Sequence, residues 1–371
     1  MTAMQQAVVD NFPLGQNLAR EMIIFDLCRD AEAEGIRWME LSVPVQGEKE
    51  SWVGLCESLD RAFHEYPDVG VGIVLCISRS SSPEEAEAKF DAVIALAQGD
   101  ADCVRLGLAS RICAVGLLGN EAGDPKATKF GALFARCASE MGWPPVPHAG
   151  AMTGEKGPEA IIDALDVGAK RIGHGILAMN DSESGRKAVV RLREAQVCCE
   201  VCPVSNVHLC DACFGCEPPP PPALEGGGGA AEEKKGEVPQ ATFRFADHPL
   251  PRMLDAGIPC CLNGDDPATF GAPSSHGLLR EFEIARSEMR LSDGQLAECA
   301  RSSFVHALGC PEAVRDRALA DIEAWLRGED LATAAAAAQS SSSQKPKTPR
   351  FKRGQKKSFS FLASHAHGGR I

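Results

Sequence analysis

Seven short apolar runs recur along this chain, each separated from the next by a segment of helical character. The runs are IRWMELSVPV (36–45), VGVGIVLCI (69–77), CAVGLLG (113–119), PVPHAG (145–150), RIGHG (171–175), VCCEVCP (197–203) and IPCCLNGDD (258–266). Between the second and third lies SSPEEAEAKFDAVIALAQG, residues 81–99, which opens on serines and acidic residues as a capped helix does and stops at Gly99. Strands that are apolar nearly throughout must be covered on both faces, and strands alternating with helices pair in parallel. The pattern therefore predicts an α/β chain, a TIM-type (β/α)8 barrel. Such a barrel has eight strands. Seven are legible here, and the place left for another is ahead of the first helix.

Two segments do not carry this pattern. Residues 216–240, CEPPPPPALEGGGGAAEEKKGEVPQ, hold too much proline and glycine to pack, and are expected to be a disordered insertion in a loop. From about residue 331 the chain becomes a low-complexity basic tail, ATAAAAAQSSSSQKPKTPRFKRGQKKS. The predicted organisation is one barrel over 1–330, interrupted by the insertion, and a tail over 331–371.

Bulk composition narrows the function. A net charge of −13 disfavours a nucleic-acid backbone as partner, and no apolar run reaches the ~18 residues that a membrane span needs. The opening MTAMQQAVVDNFPLG lacks the basic and apolar regions of a secretory leader, so the expected compartment is the cytoplasm. The sixteen cysteines are then expected to be reduced thiols, mostly small core hydrophobes.

Catalytic side chains of such barrels sit where the strands end, on one rim. Five of the runs end in reactive residue types: Gly119, Asn120 and Glu121; His148; His174; Ser205 and Asn206; Asp265 and Asp266. One polar residue at a strand end is ordinary, but imidazoles and carboxylates gathered from several strands suit a divalent metal, which they ligate and which acidifies water. His148 and Asp265 are the expected ligands, with His174 placed to orient the water. Asp266, held by Pro267, is expected to accept a hydrogen bond from a substrate.

These residues resemble a known family. HAG, RIGHG, CPVSN and LNGDDPATFG follow the order and spacing of the adenosine deaminases, metal-dependent hydrolases with a barrel fold. HPLPRMLDAGIPCCLNGDDP resembles the family's approach to its last strand, RSSFVHALG the helix after it, and VGLLGNE the strand facing the purine. The resemblance runs from about residue 10 to 328. It implies a single zinc ion held by His148 and Asp265, with His174 orienting the attacking hydroxide. It also implies Asp266 as acceptor for a purine ring nitrogen and the backbone of Gly119 as a contact to the base. The implied reaction is hydrolytic deamination of a purine nucleoside, adenosine first, with release of ammonia.

Three departures qualify these expectations. The family's first strand supplies two metal ligands as His-x-His, and the one such pair here, His365-Ala366-His367, lies in the tail, where it is expected to stand far from His148. Together with the strand count, this leads us to expect a chain lacking its amino-terminal part and showing little deamination. Second, the family's general acid is a glutamate three residues after the metal histidine, where this chain has Ala151. Glu155 replaces it if Ala151-Met152-Thr153 is an insertion. Third, Cys199-x-x-Cys202 and Cys210-x-x-Cys213-x-x-Cys216 allow a structural zinc site, although Cys202 is expected to be committed to the barrel. The competing expectation is a purine-binding or interaction protein that has lost catalysis. A cytidine-deaminase-type site needs His-x-Glu, and His148-Ala149-Gly150 lacks it.

Overall fold

The computed structural model describes residues 15–45, 47–121, 126–151, 156–209, 244–265 and 277–329. Seven strands form one parallel sheet in sequential order: β1 (Trp38–Pro44), β2 (Gly70–Ser78), β3 (Ile112–Leu118), β4 (Pro145–Ala149), β5 (Arg171–His174), β6 (Cys198–Val201) and β7 (Cys260–Leu262). All seven apolar runs are strands. The insertion at 216–240 and the tail from 331 lie outside the described residues.

The connections are helical, as a parallel sheet requires. They comprise α1 (Gly15–Ala33) ahead of β1, α2 (Lys49–Glu65), α3 (Pro83–Gly99), α4 (Gly131–Met141), α5 (Gly157–Asp166), α6 (Glu183–Ala195), α7 (Pro203–Leu209) and α8 (Leu250–Asp255). After β7 follow α9 (Leu278–Ser287), α10 (Asp293–Val305) and α11 (Glu312–Leu326). Local chemistry sets the helix starts. Ser82 accepts from Glu85 N at 3.1 Å while Glu85 accepts from Ser82 N at 3.0 Å, so two otherwise orphaned amides at the head of α3 are satisfied. Pro83 follows, where a missing N–H costs nothing. Among the described residues no helix is long and apolar enough to cross a membrane.

The sheet is curled. Flat, it would set β1 and β5 roughly 19 Å apart, four strand spacings, which is beyond the joint reach of a glutamate and an arginine. Yet the Arg171 guanidinium, at the head of β5, binds the Glu40 carboxylate of β1 directly. Arg171 also donates to Glu200 of β6 at 2.6 Å and to the carbonyl of His306 at 2.8 Å, beyond α10. Glu40 accepts from the Leu308 amide at 2.7 Å and the Trp38 indole at 3.1 Å. This largely buried ion network spans the barrel interior, with one guanidinium shared between two carboxylates.

The outer core lies between strands and helices, with Trp52, Phe90, Phe134 and Trp143 among its largest buried side chains. Thiols are part of it: all thirteen cysteines among the described residues are free, and twelve are buried. Burial pushes the thiol pKa values of Cys76, Cys199 and Cys260 up, so these are neutral thiols that pack as small hydrophobes.

Candidate active site

Three of the expected site residues meet at the carboxyl ends of their strands. His148 is the penultimate residue of β4, His174 ends β5, and Asp265 follows shortly after β7. Glycine makes the meeting possible. Gly173 pairs with His148 across β4 and β5, and a Cβ there would stand 2.7 Å from the imidazole Cγ. Gly175 turns at φ 69°, with a Cβ position only 2.5 Å from Cys199 Sγ. Between them His174 itself takes φ 64°, and Asp265 takes φ 54°. Left-handed backbone at non-glycine residues costs about 1–3 kcal/mol each and gathers at functional sites.

The side chains face one another. The two imidazoles pack edge to face at 5.1 Å between centroids, and His174 Nε2 lies 4.0 Å from Asp265 Oδ2. Cys202 stands beside them: one ligand atom each from His174, Cys202 and Asp265 lie within 4.8 Å of one another. The Cys202 thiol donates to the carbonyl of Glu200 at 3.5 Å, and burial raises its pKa far above the ordinary thiol range. Burial, helped by the neighbouring His174, pushes His148 down to about 4, so its ring is neutral at pH 7. Among the described residues its buried Nδ1 meets no hydrogen-bond partner. An unpartnered neutral imidazole packed on a second imidazole that faces a carboxylate is a donor set of the kind zinc takes, while the described residues already within reach of one ion are His174, Cys202 and Asp265.

The shell around these groups is tied by hydrogen bonds. Buried Glu121, just past β3, accepts from Gly150 N at 3.0 Å and Ala151 N at 3.1 Å, fixing the turn after His148. Arg79, just past β2, donates to the His148 carbonyl. Gly119, at φ 113°, lies against the Arg79 side chain. Behind His174, Asn206 Nδ2 is 3.1 Å from Nδ1.

Comparison with known proteins accounts for the arrangement. The adenosine deaminase family model matches residues 14–212, more than half of the chain. The chain belongs to the adenosine deaminase family. An adenine deaminase of Streptomyces coelicolor is 32% identical over 80% of this chain and 69% of its own length. A putative adenosine/adenine deaminase of the same organism is 30% identical over 81% and 75%. Among solved structures, the adenine deaminase of Arthrobacter aurescens superposes with a TM-score of 0.64 at 25% identity, covering 84% of this chain and 80% of its own. A zinc-bound amidohydrolase from Burkholderia ambifaria, 17% identical, shares the fold with a TM-score of 0.62 over 86% and 75%. The family acts as hydrolases on carbon–nitrogen bonds, and its fold is the TIM-type barrel.

The structure places Gly119, His148, His174 and Asp265 at or just past the carboxyl ends of β3, β4, β5 and β7. Asp266 and Glu155 lie outside the described residues, as do Cys210, Cys213, Cys216 and the His365–His367 pair. One placement is corrected. Ser205 and Asn206 do not end a strand: Pro203 opens α7 directly after β6, so both sit in the first turns of a helix. Two polar residues around the candidate site were not foreseen, Arg79 and His248. Arg79 follows a strand with no spacing relation to the histidines, but a cation two residues after the apolar run Val71–Ile77 was the available signal.

Proposed function

We propose that the chain is a zinc-dependent deaminase that removes the amino group of a purine by hydrolysis, with adenine as its first substrate. The observation that carries this reading is the convergence of His148, His174 and Asp265 on one rim, two of them on strained backbone. His148 and Asp265 hold the ion. When bound, zinc supplies the Lewis acidity that lets water attack near neutral pH. His174 orients the attacking water. Asp266 accepts a hydrogen bond from a ring nitrogen, and the backbone of Gly119 contacts the base. Adenine is placed ahead of adenosine because the Streptomyces and Arthrobacter relatives bear that name.

Ala151 supports a second reading, purine binding without turnover. An alanine transfers no proton, and losing general acid–base help costs about 10²–10⁴ in rate. Glu155 is the candidate replacement. Ammonia release from adenine and adenosine by the zinc-loaded chain tests both readings. Slow turnover, raised by Ala151→Glu and reduced by Glu155→Gln, is the expected outcome. Purine binding with no ammonia from either protein favours the second reading, and no purine binding at all defeats both.

A further inference from the structure

We propose that His248 and Asn206 are positioning residues that hold His174 in the tautomer with its proton on Nε2, so that this nitrogen meets the site as a hydrogen-bond donor and not as a metal ligand. The proposal deepens the deaminase reading and rests on it for its functional meaning.

The polarity of the chain of contacts is set by two backbone amides, which can only donate. Leu250 N donates to His248 Nδ1 at 3.1 Å, so that nitrogen carries a lone pair. Burial holds the His248 pKa down at about 3, so the ring is neutral and its one proton sits on Nε2. His248 Nε2 lies 3.3 Å from Asn206 Oδ1 and donates to it. The second amide, Cys202 N, also donates to Oδ1 at 3.3 Å. Turning the Asn206 amide over would set its NH₂ against two donors, so its orientation follows from chemistry. Nδ2 then points at His174 Nδ1, 3.1 Å away, and must donate there.

A neutral His174 is left with its proton on Nε2, the nitrogen facing Asp265. For Nε2 to ligate a metal while Nδ1 accepts, the ring would have to become an imidazolate. His174, His248 and Asn206 are 5%, 3% and 0% exposed, so bulk water cannot relax the constraint. The adjacency of His174, Cys202 and Asp265 is therefore a donor facing a carboxylate rather than a three-ligand set. The partner that fixes a ring nitrogen selects the tautomer of a catalytic imidazole, and here the selection originates at His248, in the connection between β6 and β7.

Long-range ¹H–¹⁵N correlation spectra of the full chain, labelled at histidine, read the tautomer directly. His174, assigned by loss of its signals in His174→Gln, is expected to show a protonated Nε2 and a bare Nδ1. His248 is expected to show the same pattern. Asn206→Asp replaces the donor by an acceptor and is expected to swap His174 to the Nδ1-protonated form, a change that loosened packing does not produce. An Nδ1-protonated His174 in the unaltered chain overturns the proposal, as does a folded Asn206→Asp with no swap. If that variant fails to fold, the unaltered chain still decides. Ammonia release is measured separately: the expected tautomer without turnover sinks the deaminase reading alone, and turnover with the other tautomer sinks this one alone.

Discussion

Gly173 leaves the space that the His148 imidazole fills: a Cβ at 173 would stand 2.7 Å from Cγ and 2.9 Å from Cδ2 and Nδ1 of that ring. The two residues are partners in the β4–β5 ladder, so neither backbone can yield without disturbing the sheet. Gly173→Ala is expected to swing the imidazole out of line and lower zinc affinity about 10–100-fold, the usual effect of disturbing a ligand's support. The accompanying stability loss is about 1–3 kcal/mol, typical of overpacking. Competition with a chromophoric chelator, alongside thermal melting, measures both. Unchanged zinc affinity in a folded variant would remove His148 from the ligand set.

Arg171 is the shared cation of two carboxylates inside the barrel, Glu40 and Glu200. Arg171→Met leaves both without their shared cation and is expected to cost about 3–5 kcal/mol in urea unfolding. Replacing the two acids as well, by Glu40→Gln and Glu200→Gln on top of Arg171→Met, should recover much of that loss. A single variant as stable as the parent would show that the network is not what braces the curl.

Glu281 of α9 is buried and accepts from Val204 N at 3.1 Å, and burial raises its pKa from 4.5 to about 7. Between those values the folded chain keeps a proton that the unfolded chain has released. Its contribution to stability is thus complete below pH 4.5 and is lost as the pH rises through 7. Glu281→Gln keeps an acceptor for Val204 and removes the charge. It should match the parent at pH 4.5 and exceed it at pH 8 by on the order of 2 kcal/mol. Equal melting temperatures at pH 8 would contradict this.

The strands were legible because a parallel strand buried on both faces has no alternation to obscure it, as the unbroken burial of β2 from Val71 to Ile77 shows. HAG and RIGHG marked the site because each glycine there has a steric duty that leaves a trace in the sequence. Boundaries were less legible: CPVSN read as a strand end because Pro203 can stop a strand or start a helix, and here it starts α7. His248 was beyond such reading. It stands 42 residues from Asn206 along the chain, and only the folded chain brings them together. The same holds for Arg171 and Glu40, 131 residues apart.

The many sequestered thiols make oxidation a property of the unfolded chain. Twelve of the thirteen described cysteines are closed to solvent, so among the described residues oxidants meet almost no sulfur while the fold stands. Heating past the transition exposes them together, at ordinary thiol acidity, and random disulfides are then expected to form faster than the fold re-forms. Without reductant, unfolding becomes one-way, and the apparent melting temperature drifts with scan rate. For these twelve thiols the fold is its own antioxidant, and their durability in air is governed by how seldom it opens.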